Sequence, residues 1–364
     1  MSTAPWSPDA PAALRESLFH VATVDLIPPA GDPVTLEVER GEVVFDEGWS
    51  PHVRADLVCR VPDTQAALDL MDPRVGTRAV VYAGYRFPGG RTDVHVLADL
   101  ALRSRPVGRP ANTVAIAAVS AECRVMDADP MGASRSYGAV MLVRAAIKDL
   151  VEWLTDGVTV QVTATSTMTL GATLTVETGH NVWNAAQELT DRIDAWLYVD
   201  GAGQWHLTDR PSTAGLSAYV MATGPAGNVS RSDSGLDVTE WGNAVLLQLP
   251  AGFAYAYAST GPFATSAVPA KVVKVKRDDD TGGPTAHFAA ARAILRRVLS
   301  RGRGFTLTGP AAYWLRPGHT VTARLPLGPQ ERHLVSRVVF DLAAGSMTVK
   351  TRVPDDDTTI TTGA

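Results

Sequence analysis

Residues 34–45 begin Val34-Thr35-Leu36-Glu37-Val38-Glu39, in which apolar and polar side chains alternate, and end in the apolar run Val43-Val44-Phe45. Alternation with a period of two is typical of a β-strand with one buried and one exposed face. Gly41 lies between the two runs and predicts a turn. The segment therefore predicts that the chain opens with antiparallel β-structure.

The rest of the first third has the same character. Val53–Cys59 alternates, and the β-rich runs Arg78–Tyr85 and Asp93–Leu100 are separated by the turn sequence Pro88-Gly89-Gly90. A short helix is predicted at Thr64–Leu70. Short strands at this spacing predict an antiparallel barrel or sandwich, and we assign residues 1–106 to this N-terminal domain.

The pattern changes after residue 106, and we predict an α/β domain over residues 107–215. A helix from about Ser134 to Leu154 is indicated by apolar residues that recur at helical spacing: Val140, Val143, Ile147, Leu150, Val151 and Leu154. The other predicted elements are a strand at Val114–Val119, a strand at Val158–Val162, a helix at about Asn181–Ala195, and a hairpin formed by Trp196–Val199 and Gln204–Leu207.

Residues 216–354 return to strands and contain one helix, predicted at about Pro284–Ser300 with Phe288, Ala291, Ile294, Leu295 and Leu299 on its apolar face. The predicted strands are Val238–Leu249, Lys271–Lys276, Gly304–Thr308, Thr320–Leu325, His333–Leu342 and Ser346–Val353. Residues 355–364 are polar and threonine-rich, and we expect a flexible tail. The fold class is therefore α+β and β-rich.

Length and charge narrow the classes of function. A chain of 364 residues exceeds the about 250–300 residues that a single core supports, so several domains are expected. The net charge of -5 argues against a dedicated nucleic-acid-binding protein. The basic stretch Arg292–Arg303 is interpreted as a solvated or subunit-facing side of one helix, with nucleic-acid binding as the alternative.

The sequence shows no secretion signal and no membrane-spanning stretch. The N-terminus has no basic patch followed by an apolar run, and no stretch approaches the about 20 apolar residues that span a bilayer. We therefore expect synthesis in a cytoplasm, delivery by assembly or lysis without secretion, and no membrane-spanning segment.

Catalytic and metal signatures are missing from the sequence. It has no Gly-x-Ser-x-Gly elbow, P-loop or His-Glu-x-x-His motif, and its eight histidines are scattered. Gly201-Ala202-Gly203 precedes a strand and is interpreted as a hairpin turn. Asp278-Asp279-Asp280 is the most suggestive acidic loop; a solvated loop is preferred over a calcium site, and ion binding stays open.

The two cysteines, Cys59 and Cys123, have no Cys-x-x-Cys spacing. Cys59 shares the parity of Val53, Ala55 and Leu57, which is the position of a small buried hydrophobic residue. Whether the two cysteines pair in a disulfide stays open.

Some acids and tryptophans could act in glycan binding or hydrolysis, but their positions have a simpler structural interpretation. Glu152, Glu177 and Glu188 are the acids of the middle domain that could form a carboxylate pair, yet each fits an exposed helix or strand end. Tryptophans could stack on sugars, but three of these four are expected in the core: Trp183, Trp196, Trp205 and Trp241. No catalytic, cofactor-binding or metal-binding residue is predicted.

Two segments carry a resemblance to a known family. Asn181-Val182-Trp183-Asn184-Ala185-Ala186, followed by Trp196-Leu197-Tyr198-Val199-Asp200-Gly201-Ala202-Gly203, resembles a segment of phage tail hub proteins in which a helix enters a strand and a glycine turn. Trp314–Val321, Val335–Val338 and Ser346–Arg352 look like the end of the same family. The style resembles minor tail proteins of long-tailed phages that infect actinobacteria.

The resemblance implies two tail-tube-like antiparallel β-barrels, at residues 1–106 and 216–354, with the α/β domain between them. It implies a structural, non-enzymatic homotrimer at the distal tail tip, which presents six barrels and adapts a six-fold tube to three-fold symmetry. The implied partners are distal tail, tail-tip or baseplate proteins and the tape measure protein. DNA would pass through the lumen without specific binding, since acidic residues repel phosphate.

Two alternatives remain. The chain could be another structural tail-tip component, such as a distal tail ring or a baseplate adaptor. From a different class, it could be a cell-wall glycan-binding or glycan-hydrolysing protein, although the sequence lacks a long C-terminal extension with a lytic or receptor-binding module.

Overall fold

The computed structural model describes residues 19–363 except 129, 131–133, 156, 225–226, 237, 240, 251, 278–282, 326–329 and 355–358. It is β-rich, as predicted. In chain order the strands are β1 Phe19–Ile27, β2 Val34–Asp46, β3 Val53–Arg60, β4 Arg78–Arg86, β5 Thr92–Ser104, β6 Val107–Gly108, β7 Thr113–Val119, β8 Arg135–Tyr137, β9 Val160–Val162, β10 Leu174–Val176, β11 Ala195–Val199, β12 Trp205–Asp209, β13 Ser217–Ala222, β14 Arg231–Leu236, β15 Ala244–Leu249, β16 Gly252–Ala258, β17 Val272–Lys276, β18 Arg303–Pro310, β19 Thr320–Arg324, β20 Glu331–Asp341, β21 Ser346–Arg352 and β22 Ile360–Gly363. The α-helices are α1 Gln65–Leu70, α2 Glu122–Asp127, α3 Val143–Leu154, α4 Val182–Arg192 and α5 Gly283–Leu299.

The N-terminal strands close into a six-stranded antiparallel barrel in the order β1-β4-β5-β7-β3-β2, with β2 returning to β1. Apolar side chains of alternating positions fill its interior, among them Val24, Leu57 and Leu100. The barrel extends past the predicted boundary at residue 106, because β7 pairs with both β3 and β5. The first strand, β1, was missed by the sequence analysis.

Strand β2 is continuous, so the predicted turn at Gly41 is wrong. Val34–Glu37 pair with β1, and Glu42–Asp46 pair with β20. Gly41 has φ +141, and a Cβ atom there would stand 2.4 Å from the carbonyl oxygen of Asp56. Glycine is therefore required where this strand passes from one strand partner to the next.

The C-terminal strands form a second six-stranded array in the order β13-β19-β20-β21-β18-β14. All neighbours are antiparallel except β13 and β19, which are parallel. The backbone N–H groups of Asn228 and Val229 donate to the carbonyl of Ala222 and link the ends of the two outer strands. Through the β2–β20 pairing, the array and the barrel belong to one sheet.

The predicted C-terminal domain is interrupted by a separate unit, which we call the insert unit. It consists of the sheet β17-β15-β16-β22 with α5 packed on one face, around Val245, Leu247, Ala291 and Leu295. The expected flexible tail is wrong for Ile360–Gly363: their backbone pairs with β16, and Ile360 packs against the core of the unit. The predicted strand over Val238–Leu249 begins only at Ala244.

The middle unit packs α3 and α4 against the strands β11-β12-β9 and β10-β8. The predicted helix from about Ser134 is wrong at its start, because Arg135–Tyr137 pair with β10 and the helix begins at Val143. Helix α4 begins where predicted: the Asn181 side chain caps it by accepting from the Asn184 N–H at 3.1 Å. The hairpin β11–β12 around Gly201–Gly203 is confirmed.

None of the helices among the described residues has the length and apolar character needed to cross a membrane.

A buried ion pair fastens the end of β2 to the end of β21. The Arg352 guanidinium donates to both carboxylate oxygens of Glu47, at 2.6 and 3.3 Å, and to the carbonyl of Pro211 at 2.6 Å. Both side chains are 7% exposed. An ion pair this enclosed resists the loss of one partner, because the remaining charge stays buried.

We predict that Arg352→Met lowers the free energy of unfolding by about 3–5 kcal/mol, because it leaves the Glu47 carboxylate buried and unpaired. Urea denaturation followed by circular dichroism measures the change. The control is Arg60→Met, which removes an exposed pair with Glu39 and is expected to cost less than about 1 kcal/mol. Equal losses in the two variants would contradict the prediction.

Candidate assembly surface

The acids considered for glycan hydrolysis lie in separate structural contacts. Glu152 accepts from Lys148 Nζ at 2.6 Å and from the Val160 N–H at 2.8 Å. Partial burial raises the pKa of Glu152, but these two donors outweigh it and hold the pKa below its ordinary value. Glu188 lies 3.7 Å from Arg277, and Glu177 is exposed after β10. A general acid needs a raised pKa, so Glu152 does not suit that role.

The tryptophans of the middle unit are core residues, as predicted. Trp183 and Trp205 are buried and meet edge to face, with ring centroids 6.3 Å apart. Trp196 is buried and stacks on Tyr198 at 4.1 Å. Trp241 meets Phe263 edge to face, with ring centroids 5.5 Å apart. Their faces are occupied by protein, which leaves the three buried rings no surface for a sugar.

A group of buried side chains lies between the barrel and the middle unit, and it contains two titratable residues, His52 and Glu122, that the sequence analysis missed. We call His52, Glu122, Trp196 and Tyr198 the junction cluster. The Glu122 carboxylate accepts from the backbone N–H groups of His52, at 3.3 Å, and Val199, at 2.9 Å, so it ties β3 to β11. The His52 ring packs against Trp196 and Tyr198 at 4.9 and 5.3 Å.

Burial dominates the electrostatics of the junction cluster. It lowers the pKa of His52 to about 4, despite the 2.8 Å hydrogen bond from the ring to the carbonyl of Asp46. It raises the pKa of Glu122 above its ordinary value, against several opposing hydrogen bonds. Shifted acids and bases often mark active sites. Here Glu122 is 1% exposed and His52 4%, so no substrate atom reaches them, and their contacts are structural.

The described residues show neither a reactive cysteine nor a metal site. Cys59 and Cys123 are both free and buried, and burial raises the pKa of the Cys59 thiol to about 12, which keeps it neutral. The described residues contain no group of three His, Cys, Asp or Glu side chains that could hold a metal ion. The Asp278–Asp280 loop lies outside the described residues.

The surface best suited to assembly is the edge of the long sheet at β14. All six residues of this strand are exposed, and β18 is its only strand partner among the described residues. Such an edge leaves backbone donors and acceptors unpaired, so it is ready to bind another chain. This strand was not predicted, because Arg231–Leu236 has no apolar alternation.

A cleft lies beside this edge. Its volume is about 620 Å³, and Phe305, Ala323 and Leu325 contribute apolar walls, with Leu236 at the rim. Leu236 is 84% exposed. Arg303 and Glu331 also line the cleft, so its surface is mixed. An exposed strand edge next to a cleft with some apolar walls is a place where another protein surface can bury apolar area.

We predict that unfolding of the wild type depends on His52 at acidic pH. The unfolded histidine binds its proton near pH 6.5 and the folded one only near pH 4, so stability falls as pH decreases between these values. This term amounts to at most about 3 kcal/mol. Glu122, with its raised pKa, acts in the opposite direction and is present in both proteins compared.

In His52→Phe the loss of stability from pH 7 to pH 4 should be smaller than in the wild type. Urea titrations of both proteins at several pH values measure it. Parallel stability–pH curves would contradict the assigned role of His52.

No protein-family model and no curated protein sequence matches the chain. Solved structures do match it. The tail protein from Neisseria meningitidis MC58 aligns with a TM-score of 0.66 and 14% identity, over 92% of this chain and 96% of that one. The 43 kDa tail protein of prophage MuSo2 from Shewanella oneidensis aligns with a TM-score of 0.63 and 14% identity, over 92% and 98%.

Prophage tail protein gp18 from Listeria monocytogenes EGD-e also matches, with a TM-score of 0.54 and 8% identity, over 91% of this chain and 94% of that one. Identities this low show the fold alone. The chain therefore shares its fold, along almost its whole length, with phage tail proteins.

Proposed function

We propose that this chain is a structural, non-enzymatic hub subunit at the distal end of a phage tail. Three copies form a ring that closes the tail tube and adapts its six-fold symmetry to three-fold symmetry. The observation that carries the proposal is the pairing of β2 with β20, which joins a six-stranded barrel to a second six-stranded array in one chain.

Symmetry explains why that architecture suits a hub. Each chain supplies two six-stranded units, so three chains supply six. Closed rings of identical chains are the usual form of assembly, and a ring of six similar units can face a six-fold tube. The shared fold with tail proteins supports this role.

The surroundings follow from this role. The proposed partners are distal tail, tail-tip or baseplate proteins and the tape measure protein, and DNA passes through the ring without specific binding. The protein is made in the cytoplasm of the host bacterium and becomes part of the virion. The resemblance of the sequence to minor tail proteins of phages that infect actinobacteria supports an actinobacterial host.

We expect native mass spectrometry of the purified chain to give a trimer over a range of concentrations. A hexamer would favour the alternative of a ring that continues the tube. A stable dimer fits neither symmetry and would overturn the proposal.

We also predict that Leu236→Asp weakens the assembly, because a carboxylate would have to be buried when the β14 edge binds a neighbour. Since Leu236 is exposed in the single chain, its stability should change by no more than about 0.5 kcal/mol. Analytical ultracentrifugation and thermal melting separate the two effects. Unchanged sedimentation would show that the ring does not use this edge.

A further inference from the structure

In the insert unit, the face of the sheet that does not contact α5 carries apolar and aromatic side chains, although it is exposed to solvent. Opposite α5, the strands present Leu246, Phe253, Tyr255 and Tyr257, which lie side by side because Leu246 pairs with Tyr255 and Gln248 with Phe253. Phe253 is 53% exposed and Tyr255 37%. The two tyrosine rings lie nearly parallel, with centroids 6.2 Å apart. Contiguous apolar surface of this kind marks an interaction site.

One border of this face is basic. On β17, Lys274 pairs with Leu246 and Lys276 with Gln248, so both lysines flank the aromatic row on the same face. The chain contains five lysines, and three of them fall within residues 271–276. Residues 241–277 contain no Asp or Glu. We call this surface the aromatic–lysine face.

Charge is divided unequally along the chain. Residues 1–215 carry 27 acidic and 17 basic residues, a net charge of -10, whereas residues 216–354 carry 8 acidic and 16 basic residues, a net charge of +8. The second count includes Asp278–Asp280. One copy therefore offers an acidic part and a basic part that are complementary to each other.

Within one chain, the insert unit already uses this complementarity on its helix side. Arg277 and Arg297 both bind Asp191 of α4, and Arg296 lies 3.5 Å from Asp194. Helix α5 thus holds the insert unit against the acidic middle unit. The aromatic–lysine face lies on the other side of the same sheet and is turned away from that contact.

We propose that the aromatic–lysine face docks onto the acidic part, residues 1–215, of a second copy of this chain. A contact between two different surfaces of identical chains is head-to-tail, and it closes into a ring when the rotation allows. The proposal rests on the proposed trimer and names the basic side of its interface. The aromatic row supplies the buried area, and the lysines supply orientation and attraction.

The test compares the wild type with Phe253→Ser and Lys274→Glu by sedimentation equilibrium at low and high salt. Lys350→Glu is the matched control, since it reverses an exposed lysine of the same basic part on β21, away from the face. We expect each of the two face variants to weaken association by at least about tenfold, and the control by much less. Wild-type association should weaken with salt, which screens the attraction.

The outcomes separate this inference from the proposed function. A wild-type trimer that both face variants retain, with unchanged dissociation constants, overturns the docking face and leaves the hub proposal standing. A wild type that stays monomeric overturns both. If the wild type is a hexamer, the trimer fails, yet dissociation of the face variants still supports the docking face. Because both substituted side chains are exposed, the face variants should melt at the wild-type temperature. Circular dichroism melting curves of all variants check this and so exclude unfolding as the cause of weaker association.

Discussion

Strand β2 has to pair within both six-stranded units at once, and the rest of the architecture depends on it. Its first residues close the barrel against β1, and its last residues start the second array against β20. An ordinary residue at Gly41 would collide with the backbone of β3. The strand therefore changes partners without leaving the sheet, and the two six-stranded units are held in a fixed relation by backbone hydrogen bonds.

Polar side chains that are buried at the joints complete this arrangement. Glu47 and Arg352 lock the end of β2 to the end of β21 and to the loop after β12. Glu122 joins the barrel to the middle unit, and Asp191 joins the middle unit to the insert unit through two arginines. Each joint costs desolvation and is satisfied only in one geometry, so these contacts specify the assembly of the units more than they add stability.

Much of the local structure followed from sequence pattern, while the assignment of strands to units did not. Helix α4 and the β11–β12 hairpin were predicted from apolar residues at helical spacing and from the glycine-rich turn, and the structure adds the Asn181 cap at the start of the helix. Val140 continued the helical spacing, yet it is 88% exposed and lies before the helix. The insert unit and β22 were missed because they depend on which strands become neighbours, and spacing along the chain carries no record of that.

The candidate sites and surfaces were harder to predict. Strand β14 has no apolar alternation because both of its faces are exposed, so its sequence looks like a loop. Glu122 follows an alanine-rich strand, and nothing in the sequence around it signals that its carboxylate is buried. The aromatic residues on β16 were visible in the sequence, but only the register with β15 and β17 shows that they share a face with two lysines.

The distance in sequence between paired strands has a consequence for synthesis. The strands of the barrel all lie within residues 19–119, so they can pair while the rest of the chain is still being translated. The second array cannot be completed in this way, because β20 and β21 leave the ribosome last among its strands and β20 must find β2, about 300 residues upstream. The folded barrel then offers the end of β2 as a pairing partner, and β20 can pair with it once the C-terminal third has been synthesised.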